Sequence, residues 1–291
     1  MTSDVLRDVA AGVISPEVAL ARMLLGGMDA GAIAQALDGA ALDGMASHPA
    51  VAAMRGLLDR RAGAMDALAR EVAETAAAHD ASGPTPGEGV ARIAAFFDRA
   101  VRHSPEASVA LYSLGDPAIL AAATAEIVAW LEAHSLLRPG ADVLDLGCGI
   151  GRVAAALALR CGSVLGLDVS AGMVAEARVR LAGVPNVVVR QTAGQDLDML
   201  AAGSLDLVLA IDSFPYIVQT GAATALRHVA GAARALRPGG ALCILNLSYR
   251  DDPAADRADA AGWAVATGMR LVHDGEQPFR VWDGTAFVLA R

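Results

Sequence analysis

Two hydrophobic rhythms divide the chain. Over roughly the first 134 residues, apolar positions recur at the three-to-four spacing of helices. In "SPEVALARMLLGG", Ser15 is placed to cap, Pro16 suits the first helical position, and Val18, Leu24 and Leu25 fall on helical spacing before Gly26 and Gly27 stop the run. The same pattern predicts helices over 30–37, 49–77 and 90–101. A short helix starts at Ser104 and Pro105 and ends in "LYSLGD", and a longer one runs from Asp116 and Pro117 to about His134. The stretch "HDASGPTPGEG", 79–89, has the glycine, proline and serine density of a loop or hinge.

Beyond Ala141 the rhythm changes to short apolar runs at 143–146, 164–167, 187–189, 205–211, 241–247, 271–273 and 286–289. The first five alternate with helix-forming segments, the pattern of a parallel sheet covered on both faces. The last two lie too close together for a helix and predict an antiparallel hairpin. The expected fold is α/β: a doubly wound, Rossmann-like seven-stranded sheet with a reversed C-terminal hairpin, 104–291, preceded by an all-helical region, 1–103.

Composition narrows the partners. The chain of 291 residues is 55% hydrophobic and 19% charged, far from the composition of a disordered chain. Its formal net charge of -9 would repel a phosphate backbone, so a small molecule rather than a nucleic acid is expected. "MTSDVLRDVA" has neither a basic nor a continuous apolar segment of a secretory signal, and charges such as Glu126 and Arg160 interrupt the best apolar windows. A cytoplasmic location without membrane insertion is expected. Cys148, Cys161 and Cys243 show no paired spacing, so they read as reduced and structural, with neither a disulfide framework nor a metal site.

The candidate chemistry starts at "VLDLGCGIGR", 143–152. Gly147, Gly149 and Gly151 follow a strand and precede a helix, where small residues let a ligand approach the backbone. A dinucleotide fingerprint needs G-x-G-x-x-G, but Arg152 stands where its third glycine would fall. Asp145, at the strand's end, would repel a pyrophosphate and favour an ammonium or sulfonium. Asp168 ends the next apolar run, where a carboxylate accepts hydrogen bonds from both ribose hydroxyls.

With "VLGLDVSAGMVAEAR", "SLDLVLAIDS" and "LRPGGALCIL", these segments resemble, in order and spacing, the successive motifs of class I S-adenosylmethionine-dependent methyltransferases, over about 136–291. The resemblance implies S-adenosyl-L-methionine as cofactor, with Asp145, Gly147, Cys148, Gly149 and Gly151 around its methionine portion. It further implies that Asp168 holds the ribose and that Val169 and Met173 pack on the adenine. After the third strand the family often places an acid where this chain has Ala193, so Gln195 or Asp196 takes that place, with Gly194 and Leu197 beside the ring. Tyr112, ahead of the first motif, closes over the cofactor carboxylate in the same analogy, against a plain packing role. "DSFPY", 212–216, is not the N-P-P-Y motif of many base and amide methyltransferases.

The expected reaction is O- or N-methylation of a small acceptor. Asp212, bordering the cofactor, and Tyr216 are nominated for proton removal, against plainer roles as loop cap and pocket wall. His103, His228 and His273 read as helix, core or surface residues. Phe279 and Trp282 read as packing, with Arg280 between them offering a charge for an anionic acceptor. The helical region serves as lid, acceptor wall or homodimer surface. Two alternatives keep the fold: a protein or RNA methyltransferase, and a non-catalytic cofactor-binding module. A nicotinamide enzyme is disfavoured by Asp145 and Arg152.

Overall fold

The computed structural model describes residues 2–42, 48–75, 83 and 85–291. Its sheet comprises β1 (Asp142–Leu146), β2 (Ser163–Asp168), β3 (Val187–Gln191), β4 (Leu205–Ile211), β5 (Leu236–Leu245), β6 (Arg270–Glu276) and β7 (Ala286–Ala290). The strand order is β3-β2-β1-β4-β5-β7-β6. The first five strands pair parallel, and β7 runs antiparallel to both β5 and β6. The doubly wound sheet with a reversed hairpin is therefore present. In β4 every residue but Asp206 is buried, as a strand covered on both faces requires. Strand order reverses between β1 and β4, and ligands of such sheets sit at the carboxyl ends of the strands flanking that point.

The helices are α1 (Thr2–Ala10), α2 (Pro16–Leu25), α3 (Ala30–Leu42), α4 (Pro49–Thr75), α5 (Pro86–His103), α6 (Pro105–Val109), α7 (Pro117–Ala133), α8 (Arg152–Ala158), α9 (Ala171–Arg180), α10 (Phe214–Gln219), α11 (Ala222–Ala235) and α12 (Pro253–Thr267). Their starts follow local chemistry. Ser15 accepts from the Val18 N–H ahead of α2, and Asp252 accepts from the Ala255 N–H ahead of α12, each with proline at the first turn.

Three expectations change. α5 begins at Pro86, inside the stretch expected to be a loop. The cause is a reciprocal capping box: Thr85 Oγ1 accepts from the Glu88 N–H at 3.3 Å, and Glu88 Oε2 accepts from the Thr85 N–H at 3.2 Å. The remainder of that stretch, 79–82 and 84, lies outside the described residues, as does residue 77 at the expected end of α4. Second, no helix separates β3 from β4; residues 192–204 are turns, so the strand-helix alternation lapses there. Third, β5 starts at Leu236 rather than 241, because Leu236 pairs with Leu205 before the register shifts to Ala241 opposite Leu207.

The chain divides into two compact units, neither continuous in sequence, unlike a division at 103/104. One holds the described residues of 1–77 with 103–126 and 279–283. Its last segment is retained by Ser15 Oγ donating to the Val281 carbonyl (3.2 Å), Arg22 paired with Asp283 (2.8 Å), and Glu126 accepting from the Arg280 and Val281 N–H groups. Tyr112 is buried in this unit, its ring 6.3 Å from that of Trp282. The other unit holds the sheet, α8 to α12 and α5, with Leu144, Val208, Ile244, Phe214 and Phe287 in its core. Among the described residues, no helix is long and apolar enough to cross a membrane.

Candidate functional site

The loop from β1 to α8 takes its shape from its glycines and from β2. Gly147, Gly149 and Gly151 have φ of 74°, 52° and 76°, the left-handed region that side chains other than glycine's rarely occupy. Crowding adds to the requirement. A Cβ on Gly147 would stand 2.2 Å from Ser213 Cβ, and one on Gly151 would stand 2.7 Å from Leu181 Cδ1. The Gly147 and Cys148 N–H groups donate to the Leu167 carbonyl, while Asp168 accepts from the Gly149 and Ser170 N–H groups, both at 2.9 Å. Asp168 thus builds the loop before any ribose is considered.

Asp145 lies directly ahead of this loop, 2% exposed, and its Oδ2 has no hydrogen-bond partner. Burial pushes its carboxyl up to about 7, against the opposing charge of Arg152. Burial also raises Asp168 to about 6, although three backbone N–H groups favour its ionised form. An isolated buried carboxylate oxygen is costly unless something satisfies it, and a cationic ligand group is suited to do so. Cys148 is buried with its thiol pushed well above the ordinary range by desolvation, so it is a packing group rather than a nucleophile.

At the β2 end, Ser170 caps α9 by accepting from the Met173 N–H (3.0 Å) and donates its hydroxyl to Asp98 Oδ1 of α5 (2.6 Å). Asp98 also accepts from the Gly172 N–H at 2.8 Å. Close packing continues at Gly194, where a Cβ would meet Val169 Cγ1 at 2.5 Å and Val90 Cγ1 at 3.1 Å. Gly87 and Val90, in the first turns of α5, therefore lie beside Gln195 and Gly194. Met173 is buried beneath, Asp196 uses Oδ1 to accept from the Asp198 N–H, and Leu197 packs in the core against Gly231.

At the β4 end, Ser213 Oγ donates to the Leu146 carbonyl (2.5 Å), tying this loop to the glycine loop. Asp212, with φ of 54°, accepts at Oδ1 from Asn246 Nδ2 (2.6 Å) and, over a longer 3.4 Å, from the Tyr249 hydroxyl. The Tyr216 ring lies edge-on to Phe97 of α5 (5.3 Å) and to Tyr249 (5.6 Å). Burial, and then the Asp212 charge, push the Tyr216 phenol well above its usual range, so at neutral pH it remains a protonated donor.

The structure thus brings together Asp145, the three glycines, Cys148, Asp168, Val169, Met173, Gly194, Gln195, Asp212 and Tyr216 at one edge of the sheet. Tyr112 belongs to the other compact unit and Leu197 to the core. Sequence reasoning missed Asp98, Ser213, Asn246 and Tyr249. Only Asp98 had a legible signal, through the Thr85–Glu88 capping box that starts its helix. His228 is buried with Nδ1 against the Thr224 carbonyl, and His273 lies beside Glu276 on β6. Among the described residues, no group of three or more His, Cys, Asp or Glu is arranged to hold a metal.

Comparison with known proteins agrees with this geometry. Residues 143–240 match a family described as a methyltransferase domain. Ribosomal RNA large subunit methyltransferase G of Streptomyces avermitilis is 40% identical over 105 residues, covering 35% of this chain and 28% of that protein. Trans-aconitate 2-methyltransferase of Deinococcus radiodurans is 38% identical over 109 residues, covering 37% of this chain and 38% of that protein. The chain thus spans only 28% and 38% of these curated relatives' length. Among solved structures, phosphoethanolamine N-methyltransferase 1 of Haemonchus contortus shares the fold at a TM-score of 0.53 and 16% identity, over 70% of this chain and 49% of that one. With this strand order and glycine loop, residues 143–240 form a methyltransferase domain of the class I, S-adenosylmethionine-dependent kind.

Proposed function

We propose that the protein transfers the methyl group of S-adenosyl-L-methionine to a small-molecule acceptor. The observation that carries this reading is the buried, unpartnered Oδ2 of Asp145 beside a glycine loop at the topological switch point. That oxygen fits the ammonium of the cofactor's methionine portion. Asp168 has lone pairs left for the ribose hydroxyls, and Val169, Met173, Gly194, Gln195 and Asp196 border the adenine.

The cofactor supplies an activated methyl on a sulfonium and a neutral leaving group. What the chain does is hold the acceptor in line and exclude water, for which positioning supplies about 7 to 11 kcal/mol in the most favourable cases. With the Tyr216 phenol held protonated, Asp212 is the group that takes a proton from the acceptor.

Acceptor choice rests on charge. A net charge of -9 opposes an RNA backbone, although one relative named above is a ribosomal RNA enzyme. The three cysteines are free, as a reducing cytoplasmic setting would leave them. The test is equilibrium titration with S-adenosylmethionine, S-adenosylhomocysteine and NAD, repeated on Asp145→Asn and Asp168→Ala. Saturable binding of the first two, weakened by both substitutions and without NAD binding, is expected. NAD binding, or no binding at all, overturns the reading. Salt-sensitive capture of duplex RNA by the wild-type protein moves the acceptor to nucleic acid.

A further inference from the structure

One oxygen of Asp98, on α5, holds two groups of the turn between β2 and α9. Its Oδ1 accepts from the Ser170 hydroxyl at 2.6 Å and from the Gly172 N–H at 2.8 Å. Neither bond is needed to start α9, because Ser170 Oγ already caps that helix by accepting from the Met173 N–H. The first bond instead fixes a serine whose own N–H is committed to Asp168 Oδ1, while Asp168 Oδ2 accepts from the Gly149 N–H, both at 2.9 Å. A chain of hydrogen bonds thus runs from α5 through Ser170 and Asp168 to the glycine loop. Packing at this point is equally close: a Cβ on Gly172 would stand 3.0 Å from Val101 Cγ1 and 3.2 Å from Asp98 Oδ1. Nearer its start, α5 lies beside the segment after β3, where a Cβ on Gly87 would stand 3.4 Å from Gln195 Nε2. Yet α5 precedes the matched domain, 143–240, and although it belongs to the compact unit of the sheet, residues 1–77 and 103–126 on either side of it belong to the other.

We propose that Asp98 is a positioning residue for the adenosine half of S-adenosyl-L-methionine, acting from outside the methyltransferase domain by setting Ser170 and, through it, the Asp168 carboxylate. This deepens the methyl-transfer reading above and rests on it. A carboxylate that must meet two ribose hydroxyls binds them best when its orientation is fixed beforehand, since the ordering cost is then not charged to the ligand. Gly149 and Ser170 supply the two N–H groups that fix Asp168, and Asp98 is what fixes Ser170 in turn. Charge is not the means. Burial is the largest influence raising Asp168, and the like charge of Asp98 adds to it, which by itself disfavours the ionised acceptor. The contribution of Asp98 therefore comes through its bonds. Coupling of this kind is reciprocal: if a docked α5 tightens the cofactor, the cofactor must tighten the docking of α5.

The wild-type protein is titrated with S-adenosylhomocysteine and with adenosine, which carries only the half in question, by ligand-observed NMR. Both titrations are repeated on Asp98→Ala and Asp98→Asn, with a thermal melt of each variant to report the fold. Asp98→Ala is expected to weaken both ligands by the same factor, at least about fivefold. Asp98→Asn keeps an Oδ1 that accepts the same two bonds without the charge, and is expected to recover most of that loss. Amide exchange supplies an arm that needs no variant: saturating the wild-type protein with S-adenosylhomocysteine should slow exchange in 86–103. Affinity unchanged or tighter in Asp98→Ala, a loss confined to S-adenosylhomocysteine, an equal loss in Asp98→Asn, or exchange in 86–103 indifferent to the ligand each overturns the proposal. Those outcomes, in a wild-type protein that binds S-adenosylhomocysteine, remove only the role of Asp98. Failure of the wild-type protein to bind either ligand removes the methyl-transfer reading and the proposal together.

Discussion

Asn246 Nδ2 donates to Asp212 Oδ1 at 2.6 Å, and both residues hold left-handed backbone, with φ of 65° and 54°. The two sit at the carboxyl ends of adjacent strands, where β4 and β5 stop. Asn246 Oδ1 accepts from the Thr285 N–H at 3.0 Å, which fixes its amide so that a donor, and not an acceptor, faces Asp212. The reversed hairpin thereby sets the orientation of a side chain two strands away. Asparagine and aspartate tolerate this backbone better than other non-glycine residues.

Two substitutions at Asn246 separate its bonds from its conformation. Asn246→Gly keeps the backbone at no strain and loses the bonds to Asp212 and Thr285, at a cost of about 1–3 kcal/mol. Asn246→Ala loses the same bonds and adds about 1 kcal/mol of left-handed strain. Urea unfolding should therefore rank wild type above Gly above Ala. Equal midpoints for the two variants would show that the conformation costs nothing.

Gly147 and Ser213 are coupled by contact. Gly147→Ala drives a methyl into Ser213 Cβ and is expected to destabilise the protein by more than the 1–2 kcal/mol of backbone strain alone. Ser213→Gly removes the obstacle but also the bond to the Leu146 carbonyl. In a double-mutant cycle by thermal melting, the pair should cost less than the sum of the singles. Additivity would mean that the loop relieves the clash by moving.

The pH dependence of stability follows from Asp145. Its folded value of about 7 lies above the 3.8 of an unperturbed carboxyl, so between those values the folded state binds more protons than the unfolded state. Stability contributed by this group is therefore highest at low pH and declines as pH rises from about 4 to 7. Asp168, raised to about 6, acts in the same direction. Thermal midpoints at pH 5 and pH 8 should differ less in Asp145→Asn than in wild type. A cationic ligand prefers the ionised carboxylate, so its affinity in wild type should rise with pH across the same window. A pH-independent affinity would disconnect Asp145 from the ligand.

Asp98 fastens α5 to the first turn of α9 through Ser170 and Gly172. Asp98→Ala leaves the Ser170 hydroxyl and Gly172 N–H without that acceptor. Amide exchange in 86–103 should accelerate, while protection in β1 and β4 stays unchanged. Unchanged exchange in α5 would show that Ile93, Phe96 and Val101 hold the helix by burial alone.

Local signals carried much of this protein in its sequence. The apolar runs at 143–146 and 205–211 became β1 and β4 almost to the residue, because a strand covered on both faces is apolar at most of its positions. The three glycines after β1 were legible because positive φ is a property of a residue and its immediate backbone, and Asp145 and Asp168 because each stands within one residue of a strand's carboxyl end. The missing helix between β3 and β4 left no periodic trace distinct from the alternation around it. Tertiary structure decided what sits beside those strand ends. It placed Asn246 against Asp212, Ser213 against Gly147, and the rings of Phe97, Tyr216 and Tyr249 together, and it sent Leu197 into the core. These are contacts between segments tens of residues apart in sequence, created by strand order and helix docking; no local pattern of spacing encodes which side chains the closing of a sheet will bring within hydrogen-bond reach.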